Sequence, residues 1–193
     1  MNVKTIFTFV SRVLDRLYQL AEPQVGYFTT TQAAEAGVSR QELHYLRRRG
    51  DVIRVAHGIQ RLTNFPASRH EDIVVASLWV GADAVASHET ALVVYGIGEA
   101  MPATIHVTVP HPFRGRRKGV TVYIAPLEAD ETLRRDGVPV TTPSRTIADV
   151  ADRDPSAARV ALEDALEGGI MRRTQVRDAA QRYPRAAAVF GGM

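Results

Sequence analysis

Between Arg40 and Arg49 this chain sets cations beside side chains with paired hydrogen-bonding groups: Arg40, Gln41, His44, Tyr45, Arg47, Arg48 and Arg49. The Arg48 guanidinium is a planar fork that matches guanine O6 and N7, and the Gln41 amide matches adenine N6 and N7. Flanking guanidiniums suit phosphate oxygens. On a helix, at ~100° per residue, Leu43 and Leu46 share one face with Ser39 and turn inward. Gln41, His44, Tyr45 and Arg48 fall on the opposite face, with Arg40 and Arg47 along one border and Arg49 along the other. Outward polar groups with cations at the borders are what reading double-stranded DNA through its major groove requires. A solvated basic helix has the same composition, so the neighbouring segments must decide.

Other residues of catalytic or ligating type are less well spaced. Ser87-His88-Glu89 places three catalytic types side by side, yet neighbours on a helix point about 100° apart and form no relay. A cap at Ser87 with Glu89 at the positive dipole end explains the same letters. His106 and His111 flank a strand end, and neither they nor His70-Glu71-Asp72 show the i,i+4 histidine pair of a helical zinc site. There are no cysteines, which excludes disulfides, thiolate zinc sites and cysteine nucleophiles. No Gly-rich phosphate loop, GxSxG elbow or HExxH is present. No metal, no cofactor and no enzymatic activity are therefore expected.

The elements that must position the basic helix lie in Gly26–Leu62. Thr30 or Thr31 can cap a helix over Gln32–Ala36, and Gly37 permits a sharp turn. Ser39 opens the second helix, with Glu42 at capping-box spacing, and Gly50 stops it after Arg49. Val52–Val55 and Ile59–Leu62 flank Ala56-His57-Gly58 as a hairpin, on which Arg54, His57 and Arg61 extend the basic surface. Upstream, Ile6, Val10, Val13, Leu14, Leu17 and Ala21 keep helical spacing up to Glu22-Pro23. Arg12, Asp15 and Arg16 break what would otherwise resemble a signal sequence. The layout is a winged helix-turn-helix. Charge agrees: residues 1–64 hold 9 Lys/Arg against 5 Asp/Glu, a net of +4, and the remainder holds 15 against 16. No run approaches the ~18 apolar residues of a membrane span, so a soluble, cytoplasmic protein is expected.

Thr63-Asn64-Phe65-Pro66 marks the expected boundary, giving a DNA-binding domain over 1–64 and a second domain over 65–193. The second domain reads as mixed α and β. Helices are expected over Glu71–Val80, His88–Tyr95, Thr142-Pro143 onward, Ala157–Glu167 and Thr174–Tyr183. Strands are expected over Ala84–Ala86, Thr104–Val109, Gly119–Ile124 and Val138–Val140. Arg114, Arg116, Arg117 and Lys118 fall at the tip of the loop between the middle two strands. They are a solvated hairpin tip, an accessory phosphate contact or a docking point for an acidic partner surface. Arg145 and Asp149, four apart, can pair; an exposed pair contributes only about 0.3–0.5 kcal/mol. Tying their helix to the sheet is the default role.

Gly26–Leu62 resembles the N-terminal winged-helix domain of AbiEi-type antitoxins of bacterial type IV toxin–antitoxin systems. The resemblance continues, in the family's order, through Ser87–Ile97 (SHETALVVYGI), Ile105–Pro110 (IHVTVP) and Gly137–Ala151 (GVPVTTPSRTIADVA). It implies an N-terminal domain that binds operator DNA and represses the operon, a C-terminal domain supporting antitoxicity, and a nucleotidyltransferase-like toxin as partner. Related proteins carry a Vsr-like endonuclease after the helices that follow TTPSRTIAD; the chain reaching only Met193 favours the stand-alone antitoxin. The fold expected is α+β, a winged helix-turn-helix followed by a mixed α/β domain. The expected DNA contacts are Ser39, Arg40, Gln41, His44, Tyr45, Arg47, Arg48, Arg49, Arg54, His57 and Arg61. Two copies are expected on paired half-sites. The alternative reading is a ligand-responsive winged-helix regulator with no toxin partner.

Overall fold

The computed structural model describes residues 3–191, with side chains from Val10 onward; the expectation for Ile6 lies outside the described side chains. The chain forms two compact units, Met1–Trp79 and Val80–Met193.

The first unit opens with α1 (Val3–Ala21), whose Val10, Val13, Leu17 and Ala21 are all buried at helical spacing. A 3-10 turn over Glu22–Gln24 and a left-handed Val25 lead into β1 (Tyr27–Thr29), then α2 (Thr30–Glu35). Gly26, at φ +92°, sits where a Cβ would run into Phe65, so only glycine fits this corner. The cap of α2 is Thr29 rather than Thr30 or Thr31, with Gln32 completing a capping box. The shift arises because Tyr27–Thr29 is extended and leaves Thr29 in β geometry, as an N-cap requires. The basic helix α3 (Arg40–Arg49) follows, then β2 (Val52–Ala56) and β3 (Ile59–Leu62). The three strands form an antiparallel sheet in the order β1-β3-β2. α4 (Glu71–Val80) lies where expected. Phe28, Ala33, Val38, Leu43, Leu46, Val52 and Leu62 close a core around the buried face of α1.

The second unit is built on a five-stranded sheet ordered β6-β5-β4-β8-β7. Its strands are β4 (Val85–Ala86), β5 (Ile105–Val109), β6 (Val120–Ile124), β7 (Thr132–Arg135) and β8 (Val138–Thr141). The helices are α5 (His88–Tyr95), α6 (Pro143–Ala151), α7 (Pro155–Glu167), α8 (Arg173–Arg182) and α9 (Ala187–Phe190). Proline stands at the start of α6 as expected, since its φ suits the first turn and the missing N–H is not needed there. β7 was not anticipated. It pairs antiparallel with β8 through Asp136-Gly137, at φ +51° and +77°, the two positive φ values that a tight two-residue hairpin requires.

β5 and β6 run parallel, with Ile105 opposite Val120 and Val109 opposite Ile124. The segment 110–119 is therefore a crossover and not a hairpin tip, and Arg114, Arg116, Arg117 and Lys118 lie on a chain returning along the sheet. Parallel strands usually need a dozen or more residues between them, so this connection is short.

Candidate nucleic-acid interface

Ser39 closes the capping box of α3 as its spacing predicts. Its Oγ accepts from Glu42 N–H at 3.2 Å, and its own N–H donates to Glu42 Oε2 at 2.6 Å. Hydrogen bonding to Ser39 holds the Glu42 carboxyl below the usual carboxylate range. The Ser39 hydroxyl is thus committed to the helix end. Gly37, at φ +75°, makes the turn between α2 and α3. Arg16 of α1 supports that turn, donating from Nη1 to Gly37 O at 2.7 Å and reaching Glu42 at 3.8 Å. Arg16 belongs to the machinery that aims α3, and sequence reasoning read it only as a charge interrupting an apolar run.

On α3, Leu43 and Leu46 are 2% and 1% exposed, so the face expected to turn inward does so. Arg40, Gln41, His44, Tyr45, Arg47, Arg48 and Arg49 are all exposed. They differ in what they already hold. Arg49 is paired with Asp51 at 2.9 Å and lies over the Tyr45 ring at 5.8 Å. Arg40, Arg47 and Arg48 have no ion-pair or hydrogen-bond partner among the described residues. Their guanidiniums stand ready for an external anion or a base edge.

The hairpin of β2 and β3 turns at His57-Gly58, with Gly58 at φ +74° and a register shift between Arg54 and Ala56. Arg54 and His57 are exposed at this tip and bonded to each other at 3.1 Å. Arg61 is different. Its guanidinium donates to Phe65 O and lies 5.7 Å over the ring of Tyr27, which is fully buried. The structure places Arg61 as a packing group within the unit, away from the exposed set.

The second unit holds two polar clusters. In the first, Ser87 makes no side-chain cap, contrary to the expectation. Its Oγ accepts from Thr108 Oγ1 at 2.7 Å and lies 3.0 Å from His88 Nδ1. His88 stacks on Tyr123 at 3.9 Å, and His106 Nδ1 meets Glu89 Oε2 at 2.6 Å. Burial pushes His88 down to about 4. Ser87 is 0% exposed, so no substrate reaches its hydroxyl. The cluster fastens α5 to β5 and β6.

In the second cluster, the Arg145–Asp149 pair is largely buried rather than exposed. Arg145 reaches Asp149 at 2.8 Å and Glu131 at 2.7 Å. Tyr183 donates to Glu131 at 2.7 Å, and Arg182 grips Asp130 with two bonds. Burial outweighs the pull of Arg145 on Asp149, whose Oδ2 has no hydrogen-bond partner, and pushes that carboxyl up to about 6. This knot ties α6 to the Glu131 turn that leads into β7, and through Arg182 and Tyr183 to the end of α8, a partner the expected tie to the sheet did not include. Beside it, a cleft of about 690 Å³ is lined by Arg134, Arg135, Arg182, Tyr95 and the start of α6.

Among the described residues no group of three or more His, Asp or Glu side chains is placed to hold a metal. No described helix is long and apolar enough to cross a membrane.

Residues 15–63, from the middle of α1 to just past β3, match the family described as transcriptional regulator, AbiEi antitoxin. No curated protein matches the chain significantly. Among solved structures, the chain is similar to the RV2827C protein from Mycobacterium tuberculosis. The two share 17% identity over 95% of this chain and 76% of that one, with a TM-score of 0.47.

Proposed function

We propose that this protein is a DNA-binding antitoxin that represses its own operon and counteracts a nucleotidyltransferase-like toxin. The observation that carries the reading is the outer face of α3. There Arg40, Arg47 and Arg48 stand unpaired beside Gln41 and His44, on a helix seated by Leu43 and Leu46. That helix lies inside the segment matched to a regulator and antitoxin family.

In this reading Gln41, His44, Tyr45 and Arg48 reach base edges, and Arg40 and Arg47 hold phosphates. Arg49 contributes by exchanging Asp51 for a phosphate, and Arg54 and His57 by reaching past the helix along the backbone. Ser39 acts through its cap and Arg61 through the fold. The protein works in the cytoplasm without cofactor or metal, is not an enzyme, and binds double-stranded operator DNA as two copies on paired half-sites.

The test is binding to its own promoter against random duplex at near-physiological salt, followed by toxin rescue with the same variants. Arg48→Ala should cost about 1–3 kcal/mol of operator affinity and relax one base position. The same variant should still rescue growth from the neighbouring toxin. Equal affinity for promoter and random duplex would sink the repressor half; failure of the intact chain to rescue would sink the antitoxin half.

The arginine-lined cleft beside α6 favours a second reading, a ligand-responsive regulator without a toxin. An anionic metabolite that shifts operator affinity, in a chain that rescues no toxin, would select it.

A further inference from the structure

The two edges of the five-stranded sheet differ in kind. β7 carries Arg134 and Arg135, charges of the sort that keep an edge from pairing. β6, reading VTVYI, has neither charge nor proline, and among the described residues no strand pairs with its outer side. Its register with β5, together with the bonds from Ile105 N–H to Gly119 O and from Ala125 N–H to Val109 O, fixes which backbone groups are used. Gly119, Thr121, Tyr123 and Ala125 turn theirs inward. Val122 and Ile124 therefore aim N–H and C=O away from the sheet, as does the C=O of Val120; the Val120 N–H is taken by Arg117 O at 3.2 Å. Ile124 is 58% exposed.

The chain on either side of this bare strand has opposite charge. Arg114, Arg116, Arg117 and Lys118 precede it without a carboxylate, and three carboxylates follow it, of which Asp130 and Glu131 are already held by Arg182 and Arg145, leaving Glu128 for an outside cation. Arg114, Arg116, Lys118, Glu128 and Asp130 are exposed. A parallel neighbour with this same sequence would set like charge against like. An antiparallel neighbour sets each basic segment beside the other's exposed Glu128.

We propose that β6 is an interface between two copies of this chain, joined edge to edge about a two-fold axis at Val122. The Val122 N–H and C=O exchange bonds with the partner's Val122, and Ile124 N–H donates to the C=O of the partner's Val120. Such an interface is self-complementary and closed, as a two-fold contact must be. It gives the 114–118 segment a role that is neither a phosphate contact nor a solvated tip. The inference goes beyond the DNA-binding reading and does not depend on it.

The test uses the full chain without DNA, by light scattering on a sizing column over a rising concentration series. The mass should climb from 21.2 kDa toward twice that value. Val122→Pro removes only an outward donor, which an edge strand tolerates, and Ile124→Lys places a charge on the edge. Each should hold the mass at monomer while the circular dichroism stays unchanged. Arg116→Glu should weaken the dimer, and adding Glu128→Lys should restore it, because this register sets Arg116 opposite the partner's Glu128. A wild-type chain that stays monomeric throughout overturns the proposal and leaves the edge to a different protein. So does a dimer that survives both edge variants.

Discussion

His88 and Asp149 oppose each other in acid, and the size of each effect follows from its surroundings. Burial lowers His88 from 6.5 to about 4. Between those values the unfolded chain binds a proton that the folded chain refuses, so stability falls as pH falls. Burial raises Asp149 from 3.8 to about 6. Between those values the folded chain holds a proton that the unfolded chain has lost, so stability rises as pH falls. Going from pH 7.5 to 4.5, these shifts correspond to a loss of about 2.5 kcal/mol from His88 and a gain of about 2 kcal/mol from Asp149. In the wild type they nearly cancel. The assay is urea unfolding at both pH values for the wild type, His88→Asn and Asp149→Asn. Asparagine suits the φ of +51° at position 88. Relative to wild type, His88→Asn should gain stability on acidification and Asp149→Asn should lose it, each by about 2 kcal/mol. If both variants track the wild-type pH profile in parallel, the argument from burial is wrong.

Three further outcomes are expected. Arg47→Ala should lower the log–log salt slope of DNA binding by about 0.9, whereas Arg61→Ala should leave that slope unchanged and lower the melting temperature. Gly37→Ala should destabilise the first unit by about 1–2 kcal/mol in thermal unfolding, because a left-handed turn acquires a Cβ next to Arg16. Leu46→Ala should cost about 2–5 kcal/mol of that unit's unfolding free energy, since it empties a fully buried site.

The first unit was legible in the sequence because its signals are local. Ser39 with Glu42, Gly37, Gly50 and the inward leucines each act within a turn or two of chain, and each landed where its spacing placed it. What escaped depends on distant partners. Arg61 was read as part of the basic wing surface, but its guanidinium is held by the Tyr27 ring on β1 and by the Phe65 carbonyl past the end of β3. Arg145 and Asp149 read as a pair tying their helix to the sheet, but nothing near them announces the further partners Glu131 and Tyr183. The parallel pairing of β5 with β6 was hidden for the same reason, since alternation fixes the faces of a strand and not its direction. β7 was different: Asp136-Gly137 is a hairpin signal that was there to be read.

The strand order also fixes a timetable. β4, at the middle of the larger sheet, is flanked on one side by β5, soon after it in sequence, and on the other by β8. No seat for β8 is filled until Thr141 has left the ribosome, and the Glu131 knot waits longer still, for Tyr183. At about 5–20 residues per second, synthesis separates the completion of residue 79 from that of residue 183 by seconds. The first unit, whose contacts are all in hand by then, has that interval to fold alone. A nascent chain would therefore hold a finished helix-turn-helix while its larger sheet is still half made.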